Sequence, residues 1–365
     1  MSRASIHYWK CDRASAFQDR PRRSREAIEA LLLTAIRTRL DDRSARLEPF
    51  SSQGNHLAWL ARHAAGERLS FVRVEDGPER DDYIEVESHL LEAVRSECAP
   101  TPGAVAWDTT RQVVPFAWQI IDYVDRPSLQ DWHKRGELDL DAIAWQIGRA
   151  IADIQRIAVA GFGPFRTDAL RAAGSLRGYH ASYADYFFLN LDAHLDILTG
   201  GGLLTGEERE RIGTLCDAHR ALLDLERPCL VHKDTALWNL LGSRDRVVAI
   251  IDWDDAIAGD PVDDFALLGC FFPPPVLARA LAGYETLRPR PEQFEPRLWL
   301  HVLRNLVFKA VIRLRAGYFG QGDGLFLIDT GTTGEQFRQE TRTRLLDAMD
   351  RLEHAETSPV VAAAR

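Results

Sequence analysis

Residues 231–266 read VHKDTALWNLLGSRDRVVAIIDWDDAIAGDPVDDFA. Within this stretch His232, Asp234 and Asn239 stand in the order H-x-D-x(4)-N, and Ile251-Asp252-Trp253 follows a short apolar hairpin. Leu230-Val231 predicts a buried strand that ends at His232 and delivers Asp234 onto a loop. The apolar run 247–251 predicts a second strand with Asp252 at its end. Taken singly, each residue has a plain structural use. A loop aspartate caps backbone amides, an asparagine suits any loop, and an aspartate after a strand caps a helix as readily as it binds a ligand. In this order they match what metal-assisted phosphoryl transfer needs. One carboxylate orients an attacking hydroxyl, while an amide oxygen and a second carboxylate hold Mg²⁺ on nucleotide phosphates.

The rest of the chain narrows the class. With 365 residues it has room for two modest domains or one bilobal unit. Hydrophobic residues make up 45% and charged residues 27%, as in an ordinary soluble globule. A net charge of −9 argues against a nucleic-acid binder that relies on a general positive field. The five cysteines are scattered and form no C-x-x-C pair, so neither a disulfide scaffold nor a zinc site is expected, and a cytoplasmic location fits best. Apolar runs are too short to span a membrane. There is no G-x(4)-G-K-[ST] and no G-x-S-x-G.

Secondary-structure signals divide the chain. Residues 1–23 read as a polar, aperiodic arm, loosely held. Helical periodicity covers residues 24–40, with Ser24 at the start. Residues 46–50 and 56–61 read as a hairpin, residues 69–74 as a half-buried strand and residues 82–97 as a helix. Residues 112–114 and 117–123 are further strand candidates. Helical patterns then dominate: 139–158, 183–198, 205–225, 275–284, 296–314 and 334–353. Gly161-Phe162-Gly163-Pro164 reads as a helix stop. The expected organisation is α+β and bilobal: a β-rich lobe over 24–121, a hinge at 122–127, a larger helical lobe over 128–355 and a frayed tail.

The block resembles the aminoglycoside phosphotransferase family of protein-kinase-like enzymes. That family's pattern is H-G-D-x(4)-N, then I-D-[WF]-[ED], then G-D-P-x-x-D-[LF]-A. This chain has His232-Lys233-Asp234, Asn239, Ile251-Asp252-Trp253-Asp254 and Gly259-Asp260-Pro261-Val262-Asp263-Asp264-Phe265-Ala266. The resemblance implies a bilobal kinase-like fold with Asp234 as catalytic base and Asn239 and Asp252 as Mg²⁺ ligands. Asp264 would brace the loop, and His232 would support it from inside. Lys233 replaces the usual glycine. It is expected either to be solvated or to reach the transferred phosphate.

Weaker parallels lie upstream. Ser51-Ser52-Gln53-Gly54-Asn55 falls where the family has its nucleotide loop, so Ser52, Gln53 and Gly54 are candidate phosphate contacts; a plain hairpin turn is the rival reading. By resemblance Arg73 would hold the nucleotide phosphates and Glu87 would hold Arg73, with Glu85 as a rival. Trp118-Gln119-Ile120-Ile121-Asp122-Tyr123-Val124 resembles the hinge strand, where backbone groups near Asp122 and Val124 would meet a purine. Arg126-Pro127 stands where glycine is common.

The expected activity is Mg²⁺-dependent transfer of the γ-phosphate of ATP or GTP to a hydroxyl of a small molecule, an antibiotic or related metabolite. The chain would act as a monomer or homodimer without nucleic-acid or membrane partners. The alternative is a nucleotide-binding regulatory module or pseudokinase. Asp254, Asp255 and Asp263 offer an acidic pocket for a polycation. Arg297, Arg304, Lys309, Arg313 and Arg315 share one helix without an acid, which tilts the expectation toward a neutral or anionic acceptor unless they face solvent.

Overall fold

Alternation along one strand sets the geometry of the first lobe. In the computed structural model, which describes residues 3–12, 23–50, 57–63, 68–76, 83–97, 99–322 and 332–355, a short helix α1 (Trp9–Asp12) precedes α2 (Arg25–Arg39). Ser24 caps α2 by accepting the Ala27 amide. Strands β1 (Arg46–Phe50), β2 (Leu57–His63) and β3 (Arg68–Glu75) follow, then helix α3 (Tyr83–Ser96) and strands β4 (Ala104–Asp108) and β5 (Ala117–Asp122). The strands form an antiparallel sheet in the order β1-β2-β3-β5-β4. Val72 and Val74 enter a core with Ile28, Leu32 and Ile36 of α2 and with Trp59 and Ile120. Arg73, between them, therefore points to the opposite face, toward α3. There Val86, Leu90 and Val94 join the core of the second lobe.

The second lobe is mainly helical. It runs through α4 (Leu129–Lys134), α5 (Leu140–Ile154), β6 (Phe162–Phe165), α6 (Thr167–Ala173), β7 (Gly178–His180), α7 (Tyr183–Phe187), α8 (Leu191–Gly200) and α9 (Gly206–Ala218). Then come β8 (Cys229–Val231), the hairpin β9 (Leu240–Ser243) and β10 (Arg246–Ile250), and β11 (Ile257–Gly259). The chain continues through α10 (Asp263–Gly269), α11 (Pro274–Glu285), α12 (Phe294–Arg315) and α13 (Gly334–His354). Helices α5 and α11 touch backbone to backbone through two glycines. A Cβ on Gly148 would lie 1.7 Å from the Ala280 carbonyl oxygen, and one on Gly283 would lie 2.0 Å from that of Trp145. No helix among the described residues is long and apolar enough to cross a membrane. Cys11, Cys216, Cys229 and Cys270 are free and buried.

Five sequence expectations need correction. Residues 112–114 form a bend rather than a strand: Arg111 has φ +56° and Val113 is 75% exposed, and the edge strand is β4 instead. The single helix expected over 183–198 breaks into α7 and α8 at Asn190, whose φ is +58°. The helix expected over 205–225 ends at Ala218 and gives way to a tight 3₁₀ turn, Arg220–Leu223. Residues 161–164 do not stop α5, which already ends at Ile154; instead residues 162–165 form β6, which pairs with β7 and β11 in a four-stranded antiparallel sheet.

The fifth concerns the N-terminal arm. Residues 3–12 are not loosely held: Ile6, Tyr8 and Cys11 are buried, and Tyr8 and Cys11 belong to the core of the helical lobe. The Asp12 carboxylate accepts the His7 and Tyr8 amides and bonds to His194. Single polar residues at the right places anchor this segment, which a test for periodicity does not detect. The suggested phosphate loop, Ser52, Gln53 and Gly54 included, lies outside the described residues.

Candidate active site

Strand β8 ends at Val231, and the chain turns sharply at Lys233, which has φ +69°. Two amides exposed by that turn find one partner. The Asp264 carboxylate, at the start of α10, accepts the His232 and Lys233 amides, each at 3.0 Å, and the Thr235 hydroxyl at 2.8 Å. The His232 ring sits under the loop. Its Nε2 is 3.1 Å from the Ile251 carbonyl oxygen, and its Nδ1 accepts the Asp234 amide at 3.2 Å. That pattern sets a neutral tautomer with the proton on Nε2. Burial holds the His232 pKa below its ordinary value, and Trp253 packs edge-on at 4.4 Å.

Asp234 is fixed from both sides. One carboxylate oxygen accepts the Lys309 ammonium at 3.2 Å; the other accepts the Asn239 amide at 2.9 Å and the Trp238 indole N–H at 3.3 Å. Burial alone would raise the pKa of this acid, but the charges of Lys309 and Lys10 outweigh it and hold it below the usual carboxylate range. Asp234 is thus a desolvated, ionised base with its lone pairs oriented.

Asn239 spends its NH₂ on Asp234, which leaves its amide oxygen directed elsewhere. Its backbone carbonyl accepts the Ile251 amide at 2.9 Å and so ties it to the residue before Asp252. Asp252 has a left-handed backbone, φ +67°, and its side chain is 41% exposed. Partial desolvation and the nearby Asp254 push its pKa up against the pull of Arg73. Such crowding of negative charge at Asp252, with Asn239 tied by its backbone to the preceding residue, fits a hard divalent cation that keeps several waters and phosphate ligands. Among the described residues no cluster of three His, Cys, Asp or Glu side chains forms a closed metal cage.

Arg73 reaches this group across the lobes. Its guanidinium pairs with Glu87 and lies 3.3 Å from Asp252 and 3.5 Å from Asp254. Glu87 also accepts the Trp253 amide at 3.2 Å. Glu85, the rival partner, is taken by Arg171 at 2.9 Å and Thr109 at 3.0 Å. At the end of β5 the Asp122 amide donates to the Gly103 carbonyl, and the Val124 carbonyl accepts the Arg126 amide.

Lys233 is neither solvated nor free to reach a phosphate. It is 2% exposed, and its ammonium donates to Asp263 at 2.6 Å and Asn305 at 3.0 Å. The sequence named Lys309 only as one of five cations on a helix, and did not point to Tyr8 or Lys10. The Tyr8 hydroxyl donates to Asp255, and Tyr8 stacks on Phe308 at 4.6 Å. The cations on α12 supplied a hint of Lys309, but not that only this one would meet Asp234.

The model of the phosphotransferase enzyme family matches residues 46–296 of the chain. No curated protein sequence matches it. Solved structures with the same fold include a thermostable mutant of the aminoglycoside phosphotransferase APH(4)-Ia in ternary complex with ADP and hygromycin B, at 17% identity and TM-score 0.60, covering 89% of this chain and 98% of that one. A ternary complex of APH(2")-IIa with streptomycin and ATP has 19% identity and TM-score 0.53, covering 89% and 98%. A putative fructosamine-3-kinase from Haemophilus somnus has 13% identity and TM-score 0.57, covering 86% and 96%.

Proposed function

The chain belongs to the phosphotransferase enzyme family, a kinase with a hydroxyl acceptor, and we propose that it moves the γ-phosphoryl group of ATP or GTP onto a hydroxyl of a small molecule in the cleft between the lobes. The observation that carries this reading is the setting of Asp234: buried and held by Lys309, Asn239 and Trp238. Asp234 orients the acceptor hydroxyl and takes its proton as the oxygen attacks phosphorus. Arg73, steadied by Glu87, faces the phosphates of the donor. Lys309 adds positive charge where negative charge accumulates on the transferred group. Asn239 and Asp252 would hold Mg²⁺, which neutralises phosphate charge when bound. His232, Asp264 and the Lys233–Asp263 pair shape the loop without touching the reactants. Intact Asp234, Asn239 and Asp252 favour turnover over a purely regulatory module.

The test is phosphate transfer from ATP and from GTP to pooled aminoglycosides, fructosamines, nucleosides and sugar alcohols, with products read by mass spectrometry. A species 80 Da heavier (about the mass of one added phosphoryl group) that is lost in Asp234→Ala is the expected result. Nucleotide binding without product in any pool favours the regulatory alternative.

A further inference from the structure

The first residues of the chain lie outside the span that matches the family, yet Tyr8 packs on Phe308, beside the Lys309 that bonds the catalytic carboxylate. Tyr8 and Lys309 share Phe308: Tyr8 stacks on that ring, and the Lys309 ammonium lies 5.4 Å from its centre. Lys309 in turn bonds Asp234. From the other side the Tyr8 hydroxyl donates to Asp255. The Lys10 ammonium sits in the field of Asp255, Asp234, Asp252 and Asp254. The segment is anchored rather than poised to leave. Asn190 holds the Ser5 carbonyl at 3.0 Å, Tyr186 holds that of His7 at 2.9 Å, and Asp12 bonds His194 at 2.8 Å.

A second observation concerns charge. A site for a polyamine needs carboxylates that the ligand's ammonium groups can pair. In this chain the acids around Asp234 already meet cations or donors of the chain itself. Asp263 is closed off by Lys233 at 2.6 Å, and Asp252 and Asp254 face Arg73 at 3.3 and 3.5 Å. Asp234 has Lys309, and Asp255 has Tyr8.

We propose that residues 3–12 form the specificity-determining wall of the acceptor site, with Tyr8 and Lys10 closing its acidic side so that the acceptor is a neutral or anionic hydroxyl compound and not a polycation. This rests on the phosphotransferase reading for the word acceptor; the charge preference of the wall stands by itself. An ammonium group entering beside Asp255 would have to displace the Tyr8 hydroxyl and approach Lys10, which costs both a hydrogen bond and a like-charge contact.

The test uses hygromycin B and streptomycin as polycationic probes, titrated by calorimetry into the full chain and into the Tyr8→Phe/Lys10→Gln variant, each with and without AMP-PNP and Mg²⁺. Tyr8→Phe keeps the ring on Phe308, and Lys10→Gln alone, at a half-buried position, serves if the double variant loses thermal stability. The expected result is binding no tighter than millimolar by the wild type and at least tenfold tighter binding by the variant at unchanged Tm. Micromolar binding by the wild type, or no gain in a folded variant, overturns the proposal. AMP-PNP affinity in the same experiment reports on the phosphotransferase reading separately: its absence from the wild type contradicts that reading, while the probes still decide the charge preference of the wall.

Discussion

Lys233 shows how one residue can answer to two constraints. Its φ of +69° is a conformation that costs an L-residue about 1–2 kcal/mol and suits glycine. The side chain offsets that by filling a buried site between Asp263 and Asn305. Removing one member of a buried pair leaves an uncompensated charge and costs about 3–5 kcal/mol. Lys233→Gly relieves the backbone and exposes that penalty, so a net loss of about 1–4 kcal/mol is expected in urea unfolding. A variant as stable as the wild type would mean that Asp263 is satisfied by Tyr183 and Asn305 alone. The substitution at a glycine position is plain in the sequence. Its consequence is not, because both partners of Lys233 come from helices that follow it by tens of residues.

At the scale of elements, α12 is the instructive case. Its periodicity marks it as a helix, but the same pattern does not say which way five cations face. They turn inward. Arg297 bonds Asp260, Arg304 bonds the Phe187 and Leu189 carbonyls, Lys309 bonds Asp234, Arg313 bonds Thr341, and Arg315 bonds the Cys11 carbonyl. They therefore give no support to an anionic acceptor; that case now rests on the wall formed by residues 3–12. Asp260 is the clearest energetic consequence. Burial opposes its charge, yet His301 and Arg297 win and lower its pKa to about 2. A depressed carboxylate stabilises the fold above its unfolded pKa of roughly 4 and loses that contribution as pH falls toward 2. Urea midpoints measured from pH 5 down to 2 should fall more steeply for the wild type than for Asp260→Asn, which starts less stable at neutral pH. Equal slopes would show that Asp260 is not depressed. Long helices were legible because they repeat a pattern many times. Short strands such as β4 and β6, and the breaks at Asn190 and Ala218, were not: three to five residues carry too little pattern, one left-handed residue decides the first break, and a switch to a 3₁₀ turn makes the second.

Across the whole molecule, the two lobes meet through charge as well as packing. Arg73 and Glu87 from the first lobe engage Asp252 and the Trp253 amide from the second. The N-terminal segment adds another crossing, with the Arg3 guanidinium 3.4 Å from the centre of the Tyr83 ring on α3 and bonded to the Phe165 carbonyl of β6. The motif residues could be picked out from sequence because their spacing is rigid within one loop and one hairpin. Lys309, Tyr8 and Lys10 could not, since only the fold brings residues 8, 234, 255 and 309 together.

The central claim is that Asp234 orients and deprotonates the acceptor hydroxyl. Its direct test is steady-state turnover of Asp234→Asn, a change that keeps shape and removes the charge, alongside calorimetric affinity for AMP-PNP with Mg²⁺. The account predicts that kcat falls by far more than tenfold, a loss above about 1.4 kcal/mol of transition-state stabilisation, while nucleotide affinity stays within about threefold, a difference below ~1 kcal/mol. A variant that keeps more than a tenth of wild-type kcat would contradict it.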